Sequence, residues 1–230
     1  MLLASVAFGQ HLEYSVRGSA TAANFRGDDA ANSTFVQYGA SAAVGGRYTQ
    51  NPYGKQTGVG FGAGVRAQRV GKTNFLTALD LGYDLLHTKT DITYINYNSA
   101  VANSSQAASG TTNLYAQYLT GFAGAGWRAQ GEQYTLDGLV GPELAYVLRA
   151  LDYGSGTAAN TIAWSTDTNR TPANTLDFRL RADVTLWRGQ VGVAASYSYG
   201  FTNYYPGTST VPNPSAYANA LRLGLSYRLK

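Results

Sequence analysis

The chain has 230 residues, enough for one domain with a sizeable interior. Charged residues make up 13% of it, about half the share usual in a soluble domain. The net charge of +4 is small and its basic residues are scattered, which argues against a nucleic-acid partner, and the lack of cysteine excludes disulfides, thiolate metal sites and a cysteine nucleophile. No apolar run approaches the length of a membrane-spanning helix.

Residues 1–10, MLLASVAFGQ, read as the end of a secretory leader. Leu2 to Phe8 are apolar, and Ala7-Phe8-Gly9 fits a small-x-small cleavage site that leaves Gln10 as the new terminus. The basic head of such a leader is missing, so the true start is expected upstream. The other reading of this stretch is a short apolar first strand. Residues 11–230 are expected to form one domain.

Nine segments alternate apolar and polar residues with a period of two: about 11–25, 34–49, 57–70, 74–90, 113–129, 134–151, 175–187, 190–203 and 217–230. Gly-Lys-Thr at 71–73, Gln-Gly-Glu at 130–132 and Arg-Gly-Gln at 188–190 are tight-turn sequences. The connections 91–112, 152–174 and 203–216 are long and polar. The segment 34–49 alternates weakly, through small residues such as Ala40, Ser41, Ala42, Ala43 and Gly45.

The charges keep to one face. Asp177, Arg179, Arg181 and Asp183 oppose Leu176, Phe178, Leu180 and Val184; Asp137, Glu143 and Arg149 oppose Leu136, Val140, Leu144 and Leu148. Glu13, Arg17, Arg66, Asp80, Asp84, Arg222 and Arg228 follow the same rule. Only end positions such as Arg69, His87 and Lys89 break it. The charged face therefore carries seven acids and seven bases. Equal numbers suit a buried, paired network, because an isolated buried charge is costly. Trp127, Tyr134, Trp187 and Tyr227 gather near one end of the strands, and Tyr146, Tyr197 and Tyr199 near the other, as in two aromatic girdles. These features favour a barrel with its apolar face outward. The alternative is a soluble barrel with its apolar face inward.

The last strand, Leu221 to Leu229, with Gly224, Tyr227 and Leu229 in register, resembles the C-terminal β-signal of outer-membrane barrels. Together with Tyr118-Leu119, Gly126-Trp127-Arg128, Val140-Gly141-Pro142-Glu143-Leu144-Ala145-Tyr146 and Asn51-Pro52-Tyr53-Gly54, it makes the chain resemble the outer-membrane β-barrel family of PorT-type proteins, whose eight-stranded barrels are OmpA/OmpX-like. The resemblance implies an all-β fold, an eight-stranded antiparallel up-and-down transmembrane β-barrel. It implies recognition of the strand Leu221–Leu229 by the barrel-insertion machinery, embedding in the outer-membrane bilayer of a Gram-negative envelope, and no catalytic residues. A barrel whose two ends both lie in the periplasm has an even number of strands. The segment to omit is 34–49, which leaves eight strands and makes 26–56 one long first extracellular loop. Pro142 removes a ladder donor from an interior strand, so a bulge or kink is expected at Gly141-Pro142.

Candidate chemistry is sparse. His87 with Ser196 or Ser198 and Asp84 could imitate a lipid-modifying enzyme, but His87 lies on the opposite face from those serines. His11 stands alone near the start. Asp91, Asp152 and Asp167 lie in separate connections, and no set of residues has metal-ligand spacing. The glycines 58, 60, 62 and 64 have a period of two and read as room for arginines across a lumen, not as a phosphate loop. The sequons at Asn32, Asn103 and Asn169 are expected by chance in such loops. No catalytic, cofactor or metal site is assigned. The expected function is a structural or surface-interaction role without enzymatic activity. A glycan or protein ligand is expected at the long loops, where Tyr94, Tyr97, Trp164, Tyr204 and Tyr205 are expected to be exposed. The alternatives are a lipid-modifying outer-membrane enzyme and a soluble lipocalin-like binder of an apolar ligand. A charged interior that fills eight strands is expected to be plugged.

Overall fold

The computed structural model describes residues 11–39, 47–98, 103–159, 162–172, 174–204 and 215–229. The leader reading of 1–10 and the position of Tyr205 lie outside these residues. Every regular element among them is a strand: β1 His11–Arg26, β2 Ser33–Gly39, β3 Arg47–Thr49, β4 Gln56–Val70, β5 Phe75–Asn98, β6 Asn103–Gln130, β7 Thr135–Ala158, β8 Ile162–Arg170, β9 Leu176–Arg188, β10 Val191–Gly200 and β11 Tyr217–Leu229.

Eight of these strands close into one antiparallel ring. In chain order, β1 pairs with β4, β4 with β5, β5 with β6 and β6 with β7. From there β7 pairs with β9, β9 with β10, β10 with β11, and β11 with β1. The closing ladder runs from Tyr14↔Leu229 to Arg26↔Tyr217. Three tight turns join neighbours at one end. In the last of them Gly189 takes a φ of 61°, the left-handed conformation that the first central residue of a two-residue hairpin turn requires. As expected, the described parts of the segment 34–49 stay out of the ring, where β2 and β3 form an antiparallel pair.

The far end departs from expectation. Most of the described residues of 91–112 and 152–174 are strand and not loop. β5, β6 and β7 run for 24, 28 and 24 residues, against 13, 10 and 13 for β9, β10 and β11. The β5–β6 ladder continues from Thr90↔Thr112 to Asn98↔Asn103, and β8 pairs along β7 from Ala150↔Arg170 to Ala158↔Ile162. β2 lies parallel to the extension of β5, from Ser33↔Asp91 to Gly39↔Asn98. Thr168 Oγ1 donates to Arg47 O at 3.3 Å, and Arg170 donates to Thr49 O, so β8 also reaches β3. These six strands make a crown above the ring. Composition hid it, because Ser, Thr and Asn read as loop residues. A register shift between Ile92 and Tyr94 also breaks the period of two and spaces the inward Ile92 and Ile95 three apart.

A second register shift, at Gln117/Tyr118, leaves Leu148 unpaired between Val147 and Arg149. It turns Arg149 outward, so Arg149 is not an interior base as its parity predicted. Arg128, buried on the inner face, takes the seventh place. Of the bulge or kink expected at Gly141-Pro142, the register shows no bulge: Phe122↔Glu143 and Ala125↔Val140 lie on one register, but pairing to β6 lapses between them. On its other side β7 pairs through Gly141↔Arg181 and Pro142↔Leu180. Trp187 also differs from expectation: it points inward, and its indole N–H donates to Asp137 at 2.9 Å.

Candidate functional site

The ring's outer face is apolar. Leu79, Leu225 and Val193 expose 66%, 63% and 61% of their surface, and Trp127 exposes 67% near the tight turns. The inner face is charged and buried. Nearest the turns, Arg128 bridges Asp137 at 2.6 Å and Glu13 at 2.7 Å, and Arg228 approaches Glu13 at 3.2 Å while lying over the Trp187 ring. In the middle, Asp183 accepts from Arg17 at 2.7 Å, Arg66 at 3.0 Å and Arg181 at 2.6 Å, and Arg66 grips Asp80 with two bonds of 2.7 Å. Above that, Glu143 is shared by Arg222 at 3.1 Å, Arg181 at 3.3 Å and Arg179 at 3.5 Å. Arg222 also binds Asp84 at 2.7 Å, and Arg179 binds Asp177 at 2.5 Å. A Cβ on Gly62 would stand 2.2 Å from Asp84 Oδ1, so this inner-face glycine makes room for a carboxylate of the neighbouring strand and not, as expected, for an arginine across the lumen. The cavity left among Arg17, Asp80, Asp84, Arg181 and Arg222 measures about 40 Å³, space for a few water molecules.

An apolar layer lies over this network. Phe25, Tyr53 and Tyr204 meet ring to ring at 5.0 to 6.0 Å. Tyr53 arrives on the connection between β3 and β4. Its backbone is held there: Tyr53 N–H donates to Asn51 Oδ1 at 3.0 Å, Ala31 N–H donates to the Tyr53 carbonyl at 3.1 Å, and Phe25 N–H donates to Gly54 O at 2.9 Å. Tyr204 donates its hydroxyl to Asp177 at 2.8 Å. Burial holds the Tyr204 hydroxyl well above its ordinary pKa, so it stays a donor.

The crown reverses the polarity of the ring. Val36, Ile92, Ile95, Ala158 and Trp164 are packed inside it. Asp152, also inside, holds Arg170 at 2.7 Å and accepts from Thr112, whose hydroxyl lies 3.2 Å from that of Thr49. Ser104, Ser105, Ser109, Ser155, Thr157, Ser165 and Asp167 face outward or lie partly exposed. Phe35 and Tyr94 stack at 4.6 Å on the outer face, beside a hydrogen bond of 3.1 Å from Asn96 to Gln37.

Of the aromatics expected to be exposed, Tyr94 is, but Trp164 and Tyr204 are buried at 3% and 2% exposure. Trp164 fills the crown and its indole N–H reaches Ser109 O at 3.3 Å. Tyr97 is half-buried beside Tyr38. His87 stacks flat on Tyr115 at 4.5 Å and contacts Asn113 Oδ1 at 2.9 Å, on the outer face of β5. Ser198 and Asp84 both bind Arg222 on the inner face. The wall of the ring separates His87 from them. Asp91, Asp152 and Asp167 do not converge, and among the described residues no acidic or histidine group could hold a metal ion. Arg128 was legible from its own alternation with Trp127. The bulge that displaced Arg149 had no clear sequence signal.

The chain matches no family model and no curated protein. Among solved structures it is similar to Ail, the attachment invasion locus protein of Yersinia pestis, in complex with the heparin analogue sucrose octasulfate, at 14% identity and a TM-score of 0.36 over 95% of this chain and 99% of that one. It is similar to Ail alone at 13% identity and a TM-score of 0.36, over 94% and 98%. It is also similar to Neisserial surface protein A at 12% identity and a TM-score of 0.37, over 94% and 97%. At these scores the functional reading rests on this chain's own side chains.

Proposed function

We propose that the chain is an integral outer-membrane β-barrel protein without enzymatic activity. Its ring spans the bilayer, and its crown is a surface for interaction outside the cell. The observation that carries this reading is the reversal of polarity along continuous strands. On β5 the outward residues are Leu79 and Leu81 in the ring, and Asp91 and Thr93 in the crown. In water an apolar outer face and a charged core are both unfavourable; in hydrocarbon both reverse sign. The crown has the ordinary polarity of a protein in water. The interior of the ring supports a barrel closed to diffusion, since the seven acids and seven arginines cross-link its walls. It leaves no place for the apolar ligand of a lipocalin-like binder. The strand Leu221–Leu229 supports recognition by the barrel-insertion machinery, in keeping with the PorT-type resemblance. The exposed Tyr94 and the amides beside it support a glycan or protein ligand at the crown.

Fractionation and reconstitution test this reading together. The protein is expected in the outer-membrane pool, heat-modifiable in detergent and without sugar-sized conductance in planar bilayers. Recovery as a soluble protein without detergent would overturn the membrane assignment. A stable large conductance would overturn the closed interior.

A further inference from the structure

The outward face of the ring is not uniformly bulky. On four consecutive strands near the tight turns it carries small side chains around the exposed Leu79. The register sets Ala67, Leu79 and Ala123 in one row and Arg69, Thr77, Ala125 and Val140 in the next. Between them lies a crease of about 550 Å³, bounded at its opposite sides by Leu12 and Pro142. Its base is built firmly. Gly141 passes so close to β6 that a Cβ would stand 1.9 Å from Ala123 O, and Trp127 meets Phe75 edge-on at 5.4 Å just below Ala125.

Among the described residues, one charged side chain lines this apolar crease. Arg69 is exposed, faces outward and stands just before the turn at Gly71-Lys72. It is one of the few charges that break the parity rule of the strands. A cation at the rim of a membrane-facing hollow matches an anionic headgroup, and the hollow beside it matches a hydrocarbon tail. A void on a surface bathed in lipid would forfeit dispersion contacts on one side, so a tail is favoured to enter it.

We propose that this crease is a phospholipid site: Arg69 binds the phosphate and one acyl chain lies over Ala67, Thr77, Ala123 and Ala125. The proposal rests on the membrane reading above. A second copy of the chain fits less well. Two copies in one bilayer are related by an axis along the membrane normal, so a crease-to-crease contact would bring two Arg69 side chains to the same depth at one interface.

Native mass spectrometry of the protein extracted from membranes in mild detergent tests this. Wild type is expected to retain one phospholipid and, after delipidation, to rebind added phosphatidylglycerol. Arg69→Gln is expected to rebind about tenfold more weakly. Ala123→Phe, which fills the crease, is expected to lose the retained lipid while staying heat-modifiable. Equal lipid retention in wild type and Arg69→Gln would overturn the proposal even if Ala123→Phe failed to fold. So would a lipid-free dimer that Ala123→Phe dissociates. Failure of the membrane reading is distinguishable, since the chain would then appear in the soluble fraction.

Discussion

The ring and the crown share strands β5, β6 and β7 but obey opposite rules. In the ring Arg179 and Glu143 are fully buried while Leu81 and Leu225 are exposed; in the crown Val36 and Ile95 are fully buried while Ser104, Ser105, Ser155, Thr157 and Ser165 are exposed. The backbone is the same in both. What changes is the solvent to which each segment is fitted, and the side chains record the change strand by strand. In the ring, antiparallel ladders join each strand to two neighbours and arginine–carboxylate bonds fill the centre. In the crown, burial of a small apolar core supplies the cohesion.

The sharpest way to break the ring is to unbalance its network. Glu143→Leu leaves Arg179, Arg181 and Arg222 short of one partner. It is expected to cost about 3–5 kcal/mol in urea unfolding of the detergent-solubilised or liposome-bound protein. A loss below about 1 kcal/mol would mean that water, not Glu143, satisfies these arginines. For the crown the matching change is Trp164→Ala, expected to cost about 3–5 kcal/mol of local stability. Proteolysis should then clip the crown while the ring stays heat-modifiable. If the ring unfolded with it, the two regions would be one cooperative unit.

The outer faces give a smaller and more selective contrast. Leu180→Arg is expected to cost about 2–4 kcal/mol if the side chain stands at the bilayer midplane. Thr157→Arg, on the crown's outer face, is expected to stay within about 0.5 kcal/mol of wild type. Equal effects from the two would erase the difference in solvent. Last, Tyr204→Phe removes one hydrogen bond to a buried carboxylate at the junction and is expected to cost about 1.5–3 kcal/mol at most. The measurement is the unfolding midpoint against that of Phe25→Leu, which disturbs the same aromatic layer without touching Asp177.

Much of the ring was legible because period-two alternation reports directly which side chains share a face. Leu176 to Trp187 alternate without a break, and the structure gives the same two faces. The candidate surface was much less legible. Trp164 and Tyr204 stand in Ser- and Asn-rich stretches, where an aromatic reads as an exposed contact residue. Trp164 is buried against Val36, Ile92, Ile95 and Ala158 of other strands, and Tyr204 against Phe25 and Tyr53, and those contacts are made between residues far apart in the chain.

The sequence by itself determined the membrane-facing stretches of the ring's strands and the face that carries charge. Both follow from local periodicity and from the cost of burying an unpaired charge. Only the tertiary structure decided where the ring gives way to a crown, that Leu148 bulges and turns Arg149 outward, which arginine meets which carboxylate, and that β2 pairs parallel to β5. Those outcomes depend on register between separate strands, and a one-residue shift in register reverses the face of every residue that follows it.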